Sequence, residues 1–190
     1  MVFMYNSFMN SLELNSIGFK SLGINVLISK NAVFYNPELL EIGNNVRIDD
    51  FVTISGKVVL RDYIHIAQFC SMYGGTEGIY MDSFSGLSSK SIIYATSNDY
   101  SGESLTNPMV PNKYKMSDIN KKVVIGKHVV IGCMSVILPG VEIEEGCAVG
   151  AMSLVNKSIG DYGIYCGIPV KRIKNRSKKV FELESQFLIE

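Results

Sequence analysis

From Ile42 onward the aliphatic residues of this chain fall on a six-residue beat. Ile42, Ile48, Ile54, Leu60 and Ile66 make one run; Ile125, Ile131, Ile137, Ile143, Val149 and Val155 make another. A second series follows four residues behind each member: Val46, Val52, Val58, Ile64 and Cys70, then Val129, Ser135, Val141, Cys147, Ser153 and Ile159. These are apolar or small. An amphipathic helix would repeat every three to four residues and a half-buried strand every second one. Here the intermediate positions hold turn formers, among them Asn44, Asp50, Gly56 and Asp62. The spacing therefore predicts a short strand, a corner and another short strand, with the large aliphatic and the small residue both pointing inward. Three such hexapeptides close one triangular coil, and stacked coils make a parallel β-helix with a dry, laddered core.

The beat is interrupted in four places. Residues 1–23 carry no repeat and are expected to cap the first coil, with a short helix between Asn6 and Ile17. The β-helix is expected to span 24–170. Within it the register slips by one at Tyr73-Gly74-Gly75, and a weak coil is expected through Ile79, Ser85 and Ser91, with serines where aliphatics stood before. Residues 97–122 have no period, two prolines and many turn formers, so they leave the coil stack as a long loop. Loops of that length in compact domains are usually functional or disordered. Residues 171–190 are a basic segment (Lys171, Arg172, Lys174, Arg176, Lys178, Lys179) leading into a helix that aligns Val180, Phe181, Leu183, Phe187 and Leu188. Such a helix can meet a membrane or a polyanion. A helix that caps the last coil or packs on a neighbouring copy is the reading favoured here.

Composition narrows the function classes. With 190 residues and 21.0 kDa, the chain suits one well-cored domain. Its 18 Lys+Arg balance 18 Asp+Glu, which argues against a chain-wide binder of nucleic acid or acidic membrane. No window reaches the roughly 18 uninterrupted apolar residues of a membrane span, so no membrane insertion is expected. The opening MVFMYNSFMN lacks the basic and apolar regions of a secretory signal, and the expected location is cytoplasmic. Cys70, Cys133, Cys147 and Cys166 have neither CxxC spacing nor a nearby histidine, so they read as reduced apolar fillers with no metal.

The beat resembles that of the hexapeptide-repeat family. The resemblance implies an all-β fold, a left-handed parallel β-helix with an excursion loop and a C-terminal helix; handedness comes from the resemblance and not from the spacing. The stretches VVIGKHVVIGCMSVILPGVEIEEGCAVGAMSLVNKSI and YCGIPVKRIK resemble family members that use acyl-coenzyme A, with Val170 where relatives commonly carry Ala. In those relatives the pantetheine arm lies along the late coils against small residues. The resemblance carries that role to Gly132, Gly150 and Ala151, and carries contacts with the coenzyme's phosphates to Lys171 and Arg172. A corner that needs positive φ would explain a glycine equally well.

Sugar O-acetyltransferases of the family place a general-base histidine just before the loop, because a hydroxyl needs its proton removed to attack a thioester. Here that stretch reads Thr96-Ser97-Asn98-Asp99-Tyr100, with Asn98 in the histidine's place. Only His65 and His128 remain, and both read as outward, exposed residues. A missing base suits an amine acceptor. A sugar amine beside electron-withdrawing oxygens titrates nearer an α-amino group (about 8) than lysine (about 10.4), leaving a nucleophilic fraction near pH 7.

The segments GINVLISKNAVFYNPELLEIGNNVRIDDFVTISGKV, YGGTEGI, Ser88-Ser89-Lys90, Asp99-Tyr100-Ser101-Gly102 and GIPVKRIK are similar to N-acyltransferases of dTDP-linked amino-dideoxy sugars of the anthrose type. That similarity implies acetyl-CoA or another short acyl-CoA as co-substrate, a nucleotide-linked amino sugar as acceptor, a homotrimer, and a place in surface-polysaccharide biosynthesis. It brings the amine near Ser88 and near Asn98, where the relatives hold an acid, with Asp99 beside it. Ser88 is expected to face outward, with Ser89 at the small inward position. Two other readings stay open: a sugar O-acetyltransferase with His65 as base, and a non-catalytic β-helix binding module.

Overall fold

Each hexapeptide spends two or three residues in strand and the rest turning a corner, and the corners are where the backbone needs the left-handed region. Asn25, Asn45, Tyr63, Phe84 and His128 have positive φ at one corner; Phe51, Phe69, Lys90, Met134 and Met152 have it at another. The computed structural model describes residues 7–115 and 119–189. In it the chain winds as a left-handed parallel β-helix with three faces. Face 1 stacks six strands from Ser21–Leu22 to Glu142–Ile143, and face 3 stacks six from Val33–Tyr35 to Leu154–Val155. Face 2 runs from Leu27–Ile28 to Gly163–Cys166 and ends on an antiparallel strand, Lys171–Asn175.

Parallel pairing puts like on like, so each inward position becomes a ladder. On face 1, Leu22, Ile42, Leu60, Met81, Ile125 and Ile143 lie in register. Ile28, Ile48, Ile66, Leu87, Ile131 and Val149 do the same on face 2. Face 3 stacks Phe34, Ile54, Met72, Ile93, Ile137 and Val155. Burial of each large rung stabilises by about 1.5–3 kcal/mol relative to exposure.

The register corrects the reading of the fourth coil. Met72 and Met81 are successive rungs nine positions apart, so the Gly74–Gly78 segment holds three extra residues, not a slip of one. That coil is as well filled as its neighbours: Met81, Leu87 and Ile93 carry the large ladder, and Ile79, Ser85 and Ser91 occupy the small one. The serines are small-ladder rungs that bind neighbouring backbone. Ser91 Oγ donates to the Gly132 carbonyl (2.9 Å), Ser135 Oγ to that of Gly150 (3.1 Å) and Ser153 Oγ to Gly150 again (2.7 Å). Buried hydroxyls are tolerated when each finds a partner. Ser89 is only half-buried, and the inward position expected for it belongs to Ser91.

Before the coils, helix α1 (Ser11–Ser16) is shorter than the span read from sequence. Asn10 caps it, accepting from the backbone N–H of Leu12 and Glu13, while Glu13 reaches back to Asn10. Leu14 drives the helix onto the core; Asn6 lies outside the described residues.

Helix α2 (Lys179–Phe187) does not cap the last coil. It lies along the corner between faces 1 and 2, where the rings of Tyr63, Phe84 and His128 stack one above another. Phe187 meets Tyr63 edge-on, and Phe181 meets His128. His128 is therefore buried rather than exposed, with Nε2 2.8 Å from Glu184 Oε2. Arg176 leads the chain there by donating to the carbonyls of His128, Gly146 and Cys147.

Candidate active site

The chain leaves the β-helix after the face-3 strand Ile92–Tyr94 and returns at the face-1 strand Val123–Ile125. The exit is a two-stranded stem: Thr96 pairs with Asn120 and Ser97 with Ile119 in antiparallel register. Alternation in a strand sends Ile93 into the core and Tyr94 outward, and the same holds for Met72 and Tyr73 one coil below. The two tyrosines stack with centroids 5.0 Å apart and planes 15° from parallel. Between this aromatic step and the overhanging loop opens a cavity of about 910 Å³.

Its wall is apolar where it touches face 3 (Val136, Leu138, Pro139) and polar where it touches the stem (Thr96, Ser97, Asn98, Lys121), with Asn156 at the far side. Burial, and then the neighbouring phenols of Tyr73 and Tyr100, push the Tyr94 hydroxyl above its ordinary value. It is a hydrogen-bond donor across the neutral range. No described carboxylate lines the cavity.

The sequence-derived candidates divide. Asn98 is exposed at the cavity wall. Asp99, its neighbour, folds back on its own turn and accepts from the Ser101 N–H and hydroxyl, both at 2.9 Å. Those bonds hold its carboxyl below the ordinary carboxylate range. Ser88 sits half-buried before the Lys90 corner, at the opposite edge of face 3. A whole face lies between Ser88 and Asn98, on the order of 15 Å at about 3.3 Å per extended residue. Within one chain they do not meet.

The late-coil candidates lie on the Ser88 edge. The backbone N–H of Gly132 donates to Val149 and that of Gly150 to Tyr165, while serine hydroxyls occupy both glycine carbonyls. A methyl on Gly132 would stand 2.5 Å from the Ala151 nitrogen, and one on Gly150 would stand 2.8 Å from Cys166 Cβ. Close stacking of coils thus accounts for both glycines. Lys171 and Arg172 are exposed on the last strand, and Arg172 donates to the Asp161 carbonyl at 2.8 Å.

Neither histidine faces the cavity. His65 lies on the outside of face 2 with Nε2 2.8 Å from Asp49 Oδ2, and Arg47 binds the other oxygen. Burial works to raise the Asp49 carboxyl, but the hydrogen bonds from His65 and Arg47 outweigh it and the net effect is lowering. His128 is committed to α2. Among the described residues no group of three His, Cys, Asp or Glu could hold a metal, and no helix is long and apolar enough to cross a membrane.

Sequence reasoning missed Tyr73, Tyr94, Lys121 and Asn156. Tyr73 and Tyr94 fall on successive rungs only once the three inserted residues at Gly74–Gly78 are counted, and the register of the coils supplies that count. Lys121 and Asn156 carry no signal in the sequence, since only the fold brings the loop's end beside the sixth coil.

Residues 122–157 match the family model described as bacterial transferase hexapeptide (six repeats). The chain is 43% identical over 185 residues to the dTDP-4-amino-4,6-dideoxy-D-glucose acyltransferase of Escherichia coli, covering 95% of each. It is 52% identical to AntD, an N-acyltransferase from Bacillus cereus solved in complex with dTDP and 3-hydroxybutyryl-CoA, with a TM-score of 0.92 over 96% of this chain and 97% of that one. A serine-to-alanine variant of AntD, solved with dTDP-4-amino-4,6-dideoxyglucose and coenzyme A, superimposes with a TM-score of 0.93 at 52% identity, over 96% of this chain and 98% of that one.

Proposed function

The chain belongs to the hexapeptide-repeat acyltransferases, and from that premise we propose that it moves a short acyl group from coenzyme A to the amine of a dTDP-linked amino-dideoxy sugar. Identity of 43–52% over nearly the whole chain to acyltransferases of such sugars is the observation that carries this reading. The geometry agrees with an amine acceptor, because the cavity has no imidazole to take a proton from a hydroxyl. The neutral amine attacks the thioester carbon; the C–N bond forms and the C–S bond breaks. The surplus ammonium proton goes to the departing thiolate or to solvent, leaving an amide and free coenzyme A. What remains for the protein is to align the amine and to receive the oxyanion on an N–H group. Asn98 accepts from the amine, and Ser88 lies on the thioester side.

This division of labour needs two copies. Ser88 and Asn98 are a face-width apart in one chain, so we place the site between subunits of a homotrimer, with the Ser88 edge of one copy against the loop of the next. Gly132, Gly150 and Ala151 then lie along the coenzyme arm on that edge, with Lys171 and Arg172 toward its phosphates. Among the three small residues, Ala151 has the N–H that makes no hydrogen bond within the described chain. Asp99 shapes the turn beside the amine instead of touching it. Both substrates are cytoplasmic metabolites, and we assign the protein to that compartment and to the supply of sugars for surface polysaccharide.

The test is release of coenzyme A thiol on mixing the protein with acetyl-CoA or 3-hydroxybutyryl-CoA and dTDP-4-amino-4,6-dideoxyglucose, with mass spectrometry of the amide. Acylation of a hydroxyl-only dTDP sugar, with the amino sugar untouched, would overturn the proposal. For the shared site, mixing Ser88→Ala with Asn98→Ala subunits should restore activity above either parent; no recovery after subunit exchange would place both residues in one chain's site.

A further inference from the structure

The cavity on face 3 has one basic lining residue among those described, Lys121; the rest of its lining is aromatic, amide, hydroxyl or aliphatic. We propose that Lys121, with the Tyr73–Tyr94 step beside it, binds the diphosphate of the acceptor, a nucleoside diphosphate sugar. This rests on the acyltransferase reading and adds to it the residue that holds the acceptor's charge.

Charge complementarity comes first. The reactive form of the amino sugar is neutral at nitrogen, so the only net charge on the acceptor is its diphosphate. A cavity built for an ammonium would offer a carboxylate; this one offers an ammonium of its own. Lysine serves phosphate as a point charge, and phenol hydroxyls add neutral donors.

Position comes second. Lys121 leaves the stem anchored by its N–H to the Ala95 carbonyl at 2.8 Å. Its aliphatic part lies over the Pro139–Gly140 corner: a methyl on Gly140 would come within 3.1 Å of Lys121 Cδ. The side chain is thus supported from below, and Lys121 as a whole is exposed. Asn98 follows the other strand of the stem, Thr96–Ser97. In the stem's register Lys121 lies opposite Ala95, three positions before Asn98 and on the order of 10 Å away at about 3.3 Å per extended residue. An acceptor with its amine at Asn98 therefore extends its diphosphate toward Lys121. The cavity volume of about 910 Å³ falls within the range that encloses ligands of this size.

Coenzyme A also carries a diphosphate, so the experiment separates the two sources. Calorimetric titration of dTDP alone, and of coenzyme A alone, is compared for the native protein, Lys121→Gln and Lys121→Arg. Losing one charged contact should weaken dTDP binding about tenfold or more in Lys121→Gln, with most of the affinity kept in Lys121→Arg and coenzyme A unaffected throughout. In steady state the same variant should raise KM for the nucleotide sugar and keep kcat. Unchanged dTDP affinity in Lys121→Gln, weakened coenzyme A in place of dTDP, or a loss of kcat at constant KM would each overturn the inference. Native protein that binds dTDP through Lys121 but acylates no amino sugar would sink the proposed reaction and leave this site standing.

Discussion

Replacing Glu184 by Ala should release helix α2 without unfolding the coils. The carboxylate lies 2.5 Å from Lys127 Nζ and 2.8 Å from His128 Nε2, and its side chain is only 9% exposed. A hydrogen bond to a charged group contributes about 1.5–3 kcal/mol. The His128 contact is buried and takes that full range; Lys127 is 31% exposed and contributes toward the surface value, about 0–1 kcal/mol. Together the loss is about 1.5–4 kcal/mol. A nine-residue helix is below the roughly 12–15 residues that hold helical structure alone, so an undocked α2 should also unwind. Amide exchange across 179–187 should then accelerate about 10- to 700-fold, at about 1.4 kcal/mol per tenfold. Exchange in the buried strand Val58–Leu60 should not change.

Acid offers a second arm of the same experiment. Burial works to raise the Glu184 carboxyl, but Lys127 and His128 more than offset it and hold the group below its ordinary value. A lowered folded pKa means the latch is fully present above the ordinary glutamate pKa of about 4.3 and fades as pH falls through the folded value. Native α2 should therefore stay protected at neutral pH and open in acid, while Glu184→Ala shows no such step. If exchange in 179–187 is unchanged by the substitution, or if every coil loses protection equally, the reasoning that α2 is a separately latched element is wrong.

Other perturbations address the site and the core. His65→Asn should leave kcat nearly intact; a loss of 10²–10⁴-fold, typical of a missing general base, would reinstate hydroxyl acylation with His65 as base. Ser88→Ala and Asn98→Ala should each lower kcat/KM for the amino sugar by about 1–3 kcal/mol, and Asn98→Asp should be tolerated. Wild-type kinetics in both alanine variants would put the acceptor elsewhere. Leu87→Ala removes a fully buried rung between Ile66 and Ile131 and should cost about 2–5 kcal/mol in thermal or denaturant unfolding. A cost below about 1 kcal/mol would mean that the fourth coil is loosely packed after all.

The six-residue beat was legible because it is a local constraint repeated many times. A rung must be aliphatic whatever its neighbours do, so Ile42 to Ile66 and Ile125 to Val155 declare the β-helix in one dimension. Fold class, the excursion at 97–122 and the C-terminal helix follow from where the beat holds and where it fails. Asn98 in a histidine's place was equally visible, because it concerns residue type and not distance.

What the sequence could not carry are the consequences of stacking. Ser91 looks like a failed aliphatic until the neighbouring coil supplies the carbonyl of Gly132. His128 looks exposed because its own corner is outward; it is buried by Phe181 and Glu184, more than fifty residues downstream. Tyr73 and Tyr94 become one aromatic step only when coils pair in register, and Lys121 becomes a charge facing that step only when the loop returns beside it. A periodic sequence specifies each rung by the burial it needs. Which side chains share a pocket is decided by contacts between coils, and those exist only once the chain has wound.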